Sequence, residues 1–151
     1  MNMRTPGRLL LGLAALILLA GGAFHGLVYP KAVAMINASD LSARSAAIYK
    51  GLWLNDAAVV MLVGLMYLVL ASRPALATRP MLALLSVLPL AGALAIYSTV
   101  GNFLPGHLLL AASILAALAA LVPASGRGSR EESGGRDSPV TSVPAQPAPP
   151  R

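Results

Sequence analysis

The sequence contains no cysteine, which excludes disulfides, thiol catalysis and iron–sulfur ligation. Charge is nearly as scarce. Charged residues make up 11% of the chain, against about 25% in a typical soluble domain. Aromatic residues reach only 5%, and the basic residues form no stripe with them. The net charge of +6 therefore does not point to nucleic acid. No HExxH, no GxSxG and no pair of carboxylates on one helix is present. No stretch reads as a strand, so no glycine-rich phosphate loop follows one. No internal repeat recurs at a fixed period.

What remains is apolar. Hydrophobic residues are 57% of 151, a length that suits one domain. The charges gather at the N-terminus, in two connections and in the tail, leaving long uncharged runs between them. Leu9 to Tyr29 is apolar apart from His25. About 21 residues rising about 1.5 Å each cross a hydrocarbon core of roughly 30 Å. Further spans are predicted over about 52–71, 81–102 and 106–122. The fold expected is all-α: a polytopic membrane protein, a four-transmembrane-helix up-down bundle.

The first run has a second reading. Arg4 and Arg8, the run Leu9–Ala20 and the small residues Gly21-Gly22-Ala23 also resemble a secretory signal with its cleavage site. The apolar run continues through Leu27 and Val28, which a cleaved signal does not need.

Pro30 is expected to stop the first helix. In the connection Lys31–Lys50, the residues Val33, Met35 and Ile36 are suited to rest on the membrane surface. Ser39 or Asp40 is the expected N-cap of the second helix. Leu41, Ile48 and Leu52 follow at helical spacing, so this helix should start outside the bilayer near Leu41 and enter it near Trp53. Ser72–Pro80 is a break with two arginines and two prolines. Pro89 should kink the third span, which is tolerable at depth when neighbours satisfy the freed carbonyl. Gly101–Gly106 is a tight turn. Residues 1–8 form a short basic N-terminus. Residues 123–151 are rich in Ser, Gly, Pro and Arg, and cannot bury enough apolar surface to offset their ordering entropy; this tail is expected to be disordered.

Basic residues orient the bundle. Arg4, Arg8, Arg73, Arg79, Arg127, Arg130, Arg136 and Arg151 fall on one side, and Lys31, Arg44 and Lys50 on the other. Eight against three places both termini in the cytoplasm of an inner (plasma) membrane.

The polar side chains then share one level. His25 lies near the outer end of the first helix, and Asn55 and Asp56 just inside the second. Tyr97 and Asn102 lie in the last outer turns of the third helix, followed by His107 at the start of the fourth. Ser98 and Thr99 accompany them. Asp56 is the only acid in the predicted spans. A carboxylate costs about 2.5–3.5 kcal/mol at the bilayer centre and less near its surface, and marks a functional candidate. The helix rise puts Asp56 and His25 at matched depth, so Asp56 is expected to face the bundle interior and pair with His25. Trp53, Asp56, Val60, Val63 and Tyr67 should form one stripe, and Gly22 with Gly26 a small-residue pair for close approach.

Each group also has a structural reading: Trp53 and Tyr49 as interfacial anchors, Asn102 as a turn residue, His107 as a solvated side chain after a Pro-Gly turn. The chemical readings are three. His25, Asp56 and His107 together offer metal donors. His25 and His107 offer axial ligands for haem. An Asp–His pair at the water interface suits proton transfer or a quinol head. The sequence does not rank them and assigns no cofactor.

Gly21-Gly22-Ala23-Phe24-His25-Gly26 and Gly51-Leu52-Trp53-Leu54-Asn55-Asp56 carry a resemblance of layout. Over roughly Leu9–Val122 the chain resembles small bacterial inner-membrane proteins of the DoxX-like kind. The resemblance implies a four-helix bundle and a respiratory or redox-accessory setting, and transfers no catalytic residue. The reading is a non-enzymatic accessory or interaction subunit, with a haem, metal or quinol-binding protein as the alternative. A small oligomeric transporter is disfavoured, because no polar path crosses the inner half. The bilayer is the expected partner, with a homo-oligomer or a second membrane protein left open.

Overall fold

The computed structural model describes residues 5–122, all helical apart from short connections. The helices are α1 (Thr5–Leu27), α2 (Tyr29–Asn37), α3 (Ala43–Ser72), α4 (Arg79–Thr99) and α5 (Leu104–Leu121). Four of them, α1, α3, α4 and α5, are long and apolar enough to cross a membrane. The expectation for the tail, 123–151, lies outside the described residues.

Between the first two spans the chain departs from the expected loop. The first helix does end ahead of Pro30, at Leu27, but the chain turns at Val28 into a second helix, and Pro30 occupies the first turn of α2, where a missing N–H costs nothing. α2 packs mainly on α3. Ala32 is its buried residue, while Met35 is well exposed. The cap of α3 is Ser42, not Ser39 or Asp40: its hydroxyl accepts from Ser45 N at 3.2 Å. Ser39 instead donates to Ile36 O at 2.6 Å and closes the end of α2. With 30 residues, α3 is about 45 Å long and does extend past a bilayer core. Gly101, at φ +88°, makes the turn between α4 and α5, a backbone region open to glycine.

α1 lies against both α3 and α5, and α4 lies against α5, whereas α3 and α4 make no extensive contact. The core joins Leu11, Ala14, Ala15 and Leu18 of α1 to Val63, Tyr67 and Leu70 of α3. It continues through Leu82 and Leu85 of α4 to Ala112, Ala116, Ala119 and Ala120 of α5. The core mixes large side chains with alanines, and the outside is apolar too: Leu9, Leu16, Leu62, Leu84, Leu88 and Leu121 are all exposed. An apolar exterior this continuous is stable only against lipid, and small interior residues let helix backbones approach.

Close approach is reciprocal between α1 and α3. A Cβ on Gly22 would lie 2.6 Å from Met61 Cγ and 3.1 Å from Ala57 O. A Cβ on Gly64 would lie 3.0 Å from Leu19 Cγ and 3.1 Å from Leu19 N. A Cβ on Gly26, the expected partner of Gly22, would meet nothing within 4 Å, so Gly26 takes no part in the close approach.

The proline in α4 is compensated from α3. Pro89 has no N–H, so the carbonyl four residues earlier, that of Leu85, loses its helical donor. The buried Tyr67 hydroxyl donates to Leu85 O at 2.9 Å. At the next carbonyl, Ser113 Oγ of α5 donates to Ser86 O at 2.8 Å. Thus α3 satisfies the carbonyl opened by the proline, α5 bonds the next carbonyl along, and Tyr67 ties α3 to a helix it otherwise barely touches.

Candidate functional site

α1 ends at Leu27, so the carbonyl of His25 falls in the final turn, where helical donors run out. Trp53 of α3 supplies one: its indole N–H donates to His25 O at 3.0 Å. The same indole stacks on the His25 imidazole, with centroids 4.3 Å apart and planes 10° from parallel. Asp56 stands three residues further along α3, on the same face as Trp53. Its Oδ2 lies 3.5 Å from His25 Nε2, a contact that is an ion pair only when the imidazole is protonated. His25 is therefore held by its carbonyl, its ring face and its ring edge, all from one turn of α3.

The expected pairing is present, but the expected facing is not. The side chain of Asp56 is 65% exposed, against 27% for His25. The interior position belongs to Ala57, which is buried. The contact of Gly22 with Ala57 O and the Met61 backbone sets this rotation. One residue is about 100° around a helix, so Asp56 is turned to the rim of the bundle. Val63 and Tyr67 of the expected stripe are buried as foreseen, and Val60 and Trp53 partly so.

Tyr97 and His107 form a separate pair across the α4–α5 turn. The tyrosine hydroxyl and His107 Nδ1 share a hydrogen bond, with ring centroids 5.5 Å apart and tilted by 47°. Gly106 makes room: a Cβ there would sit 3.0 Å from Tyr97 Cε1. Asn55 and Asn102 are exposed and make no side-chain hydrogen bond among the described residues. The hydroxyls of Ser98 and Thr99 turn back to Ala95 O of their own helix. The six candidates thus resolve into two pairs and two free asparagines. No three His, Asp or Glu side chains converge among the described residues, so His25, Asp56 and His107 do not make one metal centre.

The sequence marks Trp53 as an interfacial anchor and sets it on one stripe with Asp56, but its bond to His25 O and its stacking on the imidazole were not legible. Its spacing of three from Asp56 was the available sign that it faces the same helix. Trp53 is the chain's single tryptophan, so the arrangement has its own optical reporter. His25→Leu should shift the position and intensity of Trp53 emission, and Tyr97→Phe should leave both unchanged. Equal responses to the two substitutions would contradict the stacked geometry.

No protein-family model matches the chain, and neither a curated protein nor a solved structure matches it. The fold and its apolar exterior define its class: a small multi-pass α-helical membrane protein.

Proposed function

We propose that the protein is a non-enzymatic accessory or interaction subunit of a bacterial inner membrane, DoxX-like in layout, with both termini cytoplasmic. Its outer polar groups serve the assembly of the bundle. One observation carries this reading: among the described residues no buried side-chain nitrogen or oxygen lacks a partner. The donors at depth are taken up by backbone carbonyls, as with Trp53, Tyr67 and Ser113. A site poised for a ligand keeps convergent polar groups free for it. The α1 helix supplies part of the core, which favours its retention over cleavage as a signal.

The test is spectroscopic and genetic. Purified protein should show no Soret band, and Asp56→Asn should accumulate and fold as the parent does, since the Asp56 side chain is largely exposed and approaches His25 only to 3.5 Å. A Soret band lost on His25→Leu or His107→Leu would replace this reading with haem binding. Quinol-dependent activity abolished by Asp56→Asn in a folded bundle would replace it with quinol binding at the His25–Asp56 rim. Orientation is tested separately. Reporter fusions after Ala124 should behave as cytoplasmic and fusions near Asn37 as external; the reverse pattern would invert the topology.

A further inference from the structure

The end of the bundle opposite His25 carries arginine in place of paired polar groups. Arg8, Arg73 and Arg79 are all exposed there. Each stands where an apolar run begins or ends: Arg8 before Leu9 in α1, Arg73 as the C-cap of α3, and Arg79 as the first residue of α4. Those positions correspond to the headgroup level of a bilayer. Among the described residues no carboxylate shares this end. Asp40, in the α2–α3 connection, and Asp56 are both at the other.

Arg8 shows how the charge is held. Its Nε donates to Ala71 O at 2.9 Å, one of the last carbonyls of α3, which have no helical donor of their own. The negative end of the α3 dipole favours a cation at this position. The bond steadies the guanidinium and leaves its two terminal nitrogens without a protein acceptor among the described residues. A planar guanidinium presents such nitrogens as a fork that matches two oxygens of a phosphate. Leu9 and Leu76, beside and between these arginines, are exposed apolar side chains. They suit the start of an acyl chain, which a free phosphate does not have.

We propose that Arg8, Arg73 and Arg79 form a binding surface for the phosphate headgroup of an anionic phospholipid. The surface belongs to the membrane-spanning fold and is independent of which side of the membrane this end faces. An inverted topology therefore leaves it standing, as does failure of the accessory-subunit reading.

The test uses the full chain in nanodiscs containing equal phosphatidylglycerol and phosphatidylcholine, followed by native mass spectrometry of retained lipid. Phosphatidylglycerol should be retained preferentially. Arg73→Gln/Arg79→Gln, which keeps the Arg8–Ala71 link, should weaken that retention about fivefold per arginine removed, the factor matching roughly 1 kcal/mol each. Adding Arg8→Gln should weaken it again. The outer variant Lys31→Gln/Arg44→Gln/Lys50→Gln should retain the lipid as the parent does. Equal retention of the two lipids would overturn the proposal, as would an outer variant as deficient as the inner one. Displacement by millimolar inorganic phosphate would also overturn it, in favour of a soluble anion. So would phosphatidylglycerol retention that appears only after Glu131→Gln/Glu132→Gln/Asp137→Asn, because the arginines would then be satisfied by the chain's own acids.

Discussion

A Gly22→Leu chain should fail to close α1 on α3. Even a single Cβ at this position would lie 2.6 Å from Met61 Cγ and 3.1 Å from both Ala57 O and Met61 N. Met61 can rotate away, but the two backbone atoms cannot yield unless α3 itself moves. Overpacking of this kind costs about 1–3 kcal/mol for a modest side chain, so Gly22→Ala should be measurably destabilised and Gly22→Leu more so. Gly26→Ala is the control. A Cβ there would meet nothing within 4 Å, so the added methyl should be neutral or should stabilise the helix by up to about 1 kcal/mol. Thermal unfolding in detergent, read by Trp53 emission and by helical circular dichroism, separates the two. Equal losses at positions 22 and 26 would mean that α1 meets α3 on a different face. The His25–Trp53–Asp56 arrangement would then fail with it, since it depends on the same rotation.

The second large effect is expected at Tyr67. Phenylalanine there keeps the ring and removes only the hydroxyl, leaving Leu85 O with neither Tyr67 nor a proline N–H as donor. The loss should be about 1–3 kcal/mol, the cost of an unsatisfied buried group. The sharper measurement is a double-mutant cycle with Pro89→Ala. Alanine at 89 restores an N–H within reach of Leu85 O, so Tyr67→Phe should cost distinctly less in that background. An unchanged cost would show that the tyrosine acts by packing alone and that the proline has another compensation.

These two effects separate what each level of structure specifies. Span number, approximate ends and the depth of each polar residue are properties of position along a helix axis. They follow from the run lengths, from Pro and Gly at the breaks and from a rise of about 1.5 Å per residue. The match in depth between His25 and Asp56 was legible on that basis, and so was the need for a neighbour to satisfy the carbonyl freed by Pro89. Rotation about the axis is another matter. Each residue turns a helix by about 100°, and in lipid the exterior is as apolar as the core, so no polar–apolar boundary fixes the face. That is why Ala57 rather than Asp56 points inward, and why a Cβ on Gly22 would strike Gly64's helix while one on Gly26 would meet nothing within 4 Å. It is also why one polar layer divides into His25–Asp56 and Tyr97–His107. Only the packed helices choose these faces, because steric fit between particular glycines and particular backbones selects a rotation that hydropathy leaves free.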